Sequence, residues 1–457
     1  MSTLASPGPS AVLPIDESAV FRKATLRLIP FLFLLYVVNL IDRNNIGIAK
    51  LQMVDDDRYA ILDKAAFAFG AGVFYVGYLL FEVPANLILM RVGARAWIAR
   101  ILISWGLVSA AMMFVQGPWS FAALRALLGV AEAGFFPGII YYLNEWFPSR
   151  IRARAVAQFM LGGAVASFIG NPLSGWILDS MDQVGGLPGW QWIFLLEGIP
   201  AIALGFVTLA VLTDKPEHAH WLRPEEREWL TNLIRADRVT RAAGGKHSLA
   251  DAFLDPRVWL LIAVYFTVAM GDNSFAFYIP SFLKSQFPDW SASRLGLLAA
   301  VPSAAAMVCM VLVGRHSDRT GERRWHVAGS ALVAAFGWAL ASLAASGNLN
   351  DYMDGRWVFV AAAVVTLVGM KSMLPTFWTL PPMFLSGPAA AGGIALINSV
   401  ANLGGMFGPN AVGWIESTTG SYTYGYLVLA AALFCGGLLV LRIKPPDQSV
   451  EHAFRAP

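Results

Sequence analysis

Residues 125–148 read RALLGVAEAGFFPGIIYYLNEWFP, an apolar run long enough to enter a bilayer that nonetheless carries charges, among them Arg125 and Glu132. Arg125 and Glu132 are seven residues apart, about two helical turns, so both project from roughly one side of a helix. A charge at the centre of a membrane helix costs about 2.5–3.5 kcal/mol on insertion scales, so such side chains normally face a protein interior or an aqueous cavity. The stretch therefore reads as a membrane helix lining a working site.

The rest of the chain agrees. Of its 457 residues 57% are hydrophobic and only 14% charged, too much apolar surface for a soluble globular protein. Hydropathy and loop punctuation predict twelve spans, at 25–49, 65–90, 96–115, 120–143, 152–178, 191–212, 257–282, 294–314, 326–345, 356–379, 389–415 and 421–442. The predicted fold is an all-α polytopic membrane protein in two pseudo-symmetric six-helix bundles. Its parts are a tail at 1–24, a bundle at 25–212, a linker at 213–256, a second bundle at 257–442 and a tail at 443–457. Basic residues gather at alternate span ends: Arg22, Lys23 and Arg27, then Arg91 and Arg95, then Arg150, Arg152 and Arg154, then Arg315 to Arg324. The loop Asp55-Asp56-Asp57 lies on the other side, which places both termini in the cytoplasm and the protein in the inner membrane. The N-terminus lacks the basic, then apolar pattern of a cleaved signal. The linker reads as a short amphipathic helix with the Pro-Glu-Glu-Arg-Glu run at 224–228, followed by a flexible link at 242–245, a solvated tether between halves.

Two internal echoes support a duplicated unit. Arg91-Val-Gly93-Ala-Arg95 after the second span is matched by Arg319-Thr-Gly321-Glu-Arg323, preceded by Asp318, after the eighth. Gly170-Asn-Pro172-Leu-Ser-Gly175-Trp176 in the fifth span is matched by Gly408-Pro409-Asn-Ala-Val-Gly413-Trp414 in the eleventh. Repeats of this kind place a substrate site at mid-membrane between the halves.

At these residues the sequence resembles the major facilitator superfamily, whose gating motif the turn at 314–323 resembles; Met90 stands where the first copy of that motif has aspartate. It is more closely similar to the anion:cation symporter family, in particular bacterial permeases for tartrate, rhamnonate and hydroxyphenylacetate. The residues that carry this are Leu40-Ile-Asp42-Arg43-Asn44-Asn45-Ile46-Gly47, Pro84-Ala-Asn86, Ala131-Glu132-Ala-Gly134-Phe-Phe-Pro137-Gly138, Phe377-Trp378-Thr-Leu-Pro381 and Asn398-Ser-Val-Ala-Asn402-Leu-Gly404-Gly405. The resemblance implies proton coupling at Asp42 and Glu132, a transport-site role for Arg43, substrate contact at Tyr78 and Asn402, and gating at Arg91, Gly93, Arg95, Asp318, Arg319, Gly321 and Arg323.

Chemistry narrows the same set. The six histidines fall in loops or at a helix boundary, which leaves Asp42 and Glu132 as the carboxylates able to carry protons, with permanent carboxylate–arginine bridges as the alternative. A planar guanidinium forms paired hydrogen bonds to a carboxylate, which suits Arg43 to an organic anion, while Arg125 is expected to pair with a carboxylate, shifting between Glu132 and substrate. Tyr75 with Tyr78, and Asn398 with Asn402, share helix faces and could line the pocket or bond between helices. Asp272 and Lys371 could pair, or Lys371 could supply a second cation for a dianion. Glu82 and Glu197 read as structural. Most of the sixteen tryptophans lie near span ends as an interfacial belt, with Trp378 a candidate pocket wall.

The expected function is a proton-driven symporter importing a small organic carboxylate, its partners being the anion, protons and lipid. An exporter or exchanger of the same fold, or a transporter-like receptor signalling through 213–256, are the rivals. No His-Glu-x-x-His, Gly-x-Ser-x-Gly or Gly-x4-Gly-Lys-Ser/Thr motif is present, so an enzyme is not expected. Cys309 and Cys435 sit in apolar segments and form no metal motif. No cofactor, nucleic acid or obligatory protein partner is predicted.

Overall fold

In the bilayer a backbone must satisfy its own hydrogen bonds, and the computed structural model does so with helices. It describes residues 15–243, 253–347, 354–385 and 387–443; the ends of both tails, the link residues 244–245 and His247 and His452 lie outside this set. Helix α1 (Glu17–Asn44) continues after a break at Asn45 as α2 (Ile46–Met53), and α3 (Lys64–Val92) and α4 (Ala94–Ala111) form spans two and three. Span four is α5 (Pro118–Glu132) plus α6 (Phe135–Trp146), span five is α7 (Ser149–Met160) plus α8 (Gly162–Ser180), and span six is α9 (Gly189–Val211). After the linker helix α10 (Pro224–Ala243), the second half runs α11 (Pro256–Gln286), α12 (Ala292–Thr320), α13 (Arg324–Ala345) and α14 (Gly355–Phe377). It ends with α15 (Gly387–Ala401), α16 (Gly404–Thr419) and α17 (Thr423–Val440). Aspartates begin several of these helices: Asp16, Asp63, Asp255 and Asp354 each accept a backbone N–H of the first turn. The cap at Asp16 starts α1 ahead of the expected residue 25.

Among the described residues eleven helical segments are long and apolar enough to cross a membrane. The remaining span, α15 with α16, is divided at Asn402-Leu403, so neither piece alone has the length.

The two bundles meet along α8 with α12 and along α3 with α16. At Gly175 a Cβ would collide with the Ala292 carbonyl, so the glycine cluster of span five permits that approach. Polar contacts gather at the end remote from α10, here called the far end. Lys64 Nζ reaches Glu416 Oε1 at 2.7 Å, Lys50 Nζ donates to Ser281 Oγ at 3.0 Å, and Asp179 of the first bundle accepts the Ala292 and Ser293 N–H groups that open α12.

The linker departs from the tether expectation. Leu222, Leu230 and Ile234 are buried in the core of the first bundle, Trp221 stacks on Trp146 at 5.4 Å, and Lys23 Nζ contacts Glu226 Oε1 at 2.7 Å. The 3.6-residue spacing of apolar residues in α10 gives it a face to bury, and the base of the first bundle covers that face.

Candidate functional site

Three of the helix breaks fall at or beside predicted site residues. Arg43 occupies the last turn of α1, before the break at Asn45, and Glu132 is the final residue of α5. The chain then turns through Gly134, whose φ of +83° favours glycine and whose added Cβ would lie 2.8 Å from the Ala85 Cβ of α3. Asn402 sits at the break between α15 and α16.

Glu132 is buried, and a single oxygen, Oε1, receives three donors: Asn39 Nδ2 at 2.6 Å, Arg43 Nε at 3.0 Å and Arg43 Nη2. The Arg43 guanidinium also lies over the rings of Phe74 and Tyr78, 5.2 and 5.3 Å from their centroids. Arg43 therefore holds a carboxylate against an aromatic floor, with 19% of its side chain still exposed.

Arg125 departs from the expected carboxylate pairing. It lies 4.8 Å from the Phe74 centroid and is 1% exposed, and among the described residues nothing accepts a hydrogen bond from its Nε or Nη2. The seven-residue spacing placed Arg125 and Glu132 on one side of a helix; it carried no information about Arg43, which arrives from α1 and takes the glutamate. Asp42 points elsewhere again. Trp105 Nε1 donates to it at 2.5 Å and Ser109 Oγ also donates, so it is buried against α4 rather than beside Arg43, as the angular step between successive helical residues requires.

In the second bundle Lys371 Nζ and Asp272 Oδ1 are 2.6 Å apart, with 14% and 37% of their side chains exposed. Tyr75 reaches across the bundles to donate to Asn273 Oδ1. Tyr36 packs on Phe159 at 4.5 Å in the first bundle, and Tyr265 stacks on Phe377 at 5.3 Å in the second. Trp378 packs edge-on against Tyr265 at 5.1 Å, and Asn398 is buried next to Glu82. Tyr36 and Tyr265 were missed by the sequence reading; each stands seven residues before a site charge, on the same helix face, which is the signal that could have found them. Glu197 accepts from Ser174 at 2.7 Å inside the first bundle.

Of the mid-depth charges Arg43, Lys371 and Asp272 keep some exposure, whereas Glu132, Arg125 and Asp42 are buried, as are Lys50 and Glu416 at the far end, 0% and 3% exposed.

At the end that carries α10 the two basic turns differ. Gly93 (φ +100°) bends the chain so that the Arg95 N–H donates to Asp214 Oδ1 at 2.8 Å, while Arg91 is exposed. The second turn, through Gly321 (φ +71°), closes on itself, with Arg323 Nη1 2.6 Å from Asp318 Oδ1 and Arg319 exposed. Asp214, beyond the end of α9, meets the first turn at a backbone N–H, whereas Asp318 meets the second through the Arg323 guanidinium.

The family model described as Major Facilitator Superfamily matches residues 32–386 and 288–456. The chain is 49% identical over 425 residues to a putative tartrate transporter of Agrobacterium vitis, covering 93% of this chain and 91% of that one. It is 39% identical over 427 residues to a quinolone resistance transporter of Acinetobacter baumannii, covering 93% and 94%. Among solved structures, the partially occluded inward-open xylose transporter XylE of E. coli superposes with a TM-score of 0.71 at 12% identity, over 93% of this chain and 99% of that one. Helical architecture, membrane spans and sequence agree, and the chain belongs to the major facilitator superfamily as a multi-pass membrane transporter.

Proposed function

We propose that this transporter carries a small organic carboxylate across the inner membrane by proton symport and alternating access. The observation that carries the reading is the carboxylate already seated on Arg43, that of Glu132. A substrate carboxylate can take its place only if Glu132 gives up the guanidinium, and protonation removes the charge that holds it there. Binding of anion and proton are thereby made interdependent. The putative tartrate transporter among the relatives supports an organic acid as cargo.

With the α10 end in the cytoplasm, as the basic loops imply, the far-end contacts face the periplasm and the described state is open inward. Loading occurs in the opposite state: Glu132 is protonated from outside, the anion binds Arg43, the bundles rock, and loss of the proton returns Glu132 to Arg43 and expels the anion. Asp42 is the second protonation site; neutralising it would loosen α1 from α4 rather than alter the anion contact directly. Arg125 supplies a second cation, and Tyr75, Tyr78, Trp378, Asn398 and Asn402 line the path. The turns at 91–95 and 318–323 gate the cytoplasmic end.

Glu132→Gln in proteoliposomes tests the coupling. Uphill uptake driven by an imposed proton gradient should be lost while exchange is retained. Concentrative uptake with intact pH dependence would remove Glu132 from the mechanism. The quinolone resistance transporter among the relatives favours a second reading, export by the same apparatus, and flux direction in oriented vesicles separates the two.

A further inference from the structure

The first and fourth spans of each bundle carry one intramembrane ion pair, and the two pairs have opposite polarity. In the first bundle the cation, Arg43, is on span one and the anion, Glu132, is on span four. In the second the anion, Asp272, is on span seven and the cation, Lys371, is on span ten. The register matches, since Tyr36 precedes Arg43 and Tyr265 precedes Asp272 by the same seven residues. Tyr75 packs at 5.0 Å on Phe74, the ring under Arg43, and donates across the bundles to Asn273, the chain neighbour of Asp272, so the two pairs belong to facing walls of one space.

Neither pair is sealed in packing. Asp272 is more than a third exposed, and Lys371 and Arg43 retain some exposure at a depth where a merely structural charge is expensive. An ammonium has three donors, and the contact to Asp272 Oδ1 accounts for one, leaving two to be offered to another acceptor. A substrate with a single carboxylate seated on Arg43 would use the first wall only, and would meet Asp272 as an unhelpful anion opposite. A substrate with a carboxylate at each end satisfies both cations and ties the bundles to each other.

We propose that Lys371 binds a second substrate carboxylate, that Asp272 keeps it charged and aimed until substrate arrives, and that the cargo class is the short hydroxy dicarboxylates. This rests on the organic-acid reading above and narrows it. Because the dicarboxylate touches both bundles, its binding favours the occluded state, whereas a monocarboxylate leaves the bundles unlinked. Lys371 is then a residue that decides specificity, not only affinity.

The test uses the full chain in proteoliposomes with two radiolabelled probes, tartrate and threonate. Both have four carbons, and threonate carries a hydroxymethyl group in place of one carboxylate. The wild type should prefer tartrate by about tenfold or more in kcat/KM, the scale set by leaving a built polar group without its partner. Because removing one member of a pair strands the other, the decisive variant is the neutral double replacement Asp272→Asn/Lys371→Met, its folding checked by thermal stability. Its tartrate-to-threonate ratio should fall to within about threefold of unity, and Lys371→Arg should recover most of the preference. A folded double variant that keeps the wild-type ratio, or a wild type that prefers threonate, overturns the proposal while leaving organic-acid transport standing. Failure of the wild type to take up or exchange any of a panel of mono- and dicarboxylates overturns both.

Discussion

Arg125 is the residue whose surroundings least suit a structural role. Among the described residues two nitrogens of this buried guanidinium have no acceptor, so its desolvation is not fully offset by hydrogen bonds, which lowers stability. Stability and transport should therefore move in opposite directions on Arg125→Met. Thermal stability in detergent should rise by a few degrees, about 1–2 kcal/mol, while uptake falls about tenfold or more. A variant that is both less stable and fully active would show instead that Arg125 is held by partners and is irrelevant to the anion. The adjacent Arg43–Glu132 pair makes the contrast interpretable, because there the guanidinium is bonded and its loss would lower both quantities.

At the scale of elements, the break between α5 and α6 fixes where Glu132 points. Gly134→Ala imposes two separate costs, a left-handed backbone of about 1–2 kcal/mol and a clash with the Ala85 Cβ. A double-mutant cycle resolves them: Ala85→Gly in the Gly134→Ala background should recover the steric part of the lost thermal stability and none of the backbone part. The linker helix allows a pH prediction. Burial alone would raise the Glu226 carboxyl, but hydrogen bonds from Lys23 and Arg223 outweigh it and hold the group below its ordinary 4.5. A depressed carboxylate contributes stability above its unfolded value and loses it as pH falls through the folded one. Glu226→Gln should thus lower the melting temperature by about 2–4 °C at pH 7, and the gap to wild type should close as the pH falls through the depressed value of this carboxyl.

For the whole molecule, the seam at the far end selects the described state. Glu416 is buried and binds Lys64 across the bundles, so Glu416→Gln should weaken the closure and populate the state open on that side. A cysteine at Ala68, which faces Gly413 over the same seam, reports the shift in a background lacking Cys309 and Cys435. A membrane-impermeant thiol reagent applied from the far side should label Ala68→Cys about threefold faster or more when Glu416 is replaced. Equal rates would show that this ion pair does not bias the equilibrium.

The sequence by itself determined the class of molecule. Apolar length and internal charges required a polytopic bundle, the Arg-x-Gly-x-Arg and Gly/Pro echoes exposed the duplication, and the run at Asp42-Arg43 with Glu132 marked the charged centre. Those features are legible because they depend on composition and on periodicity within one helix. Which charge meets which depends on how separate helices are rotated and where they break, and no single-helix period contains that. The fold gave Glu132 to Arg43 rather than Arg125, turned Asp42 towards α4, joined Lys371 to Asp272, and docked α10 on the first bundle. The opening stretch contained both a carboxylate and an arginine; only packing against α1 decided that the carboxylate is bonded to Arg43 and that nothing described bonds Nε and Nη2 of Arg125.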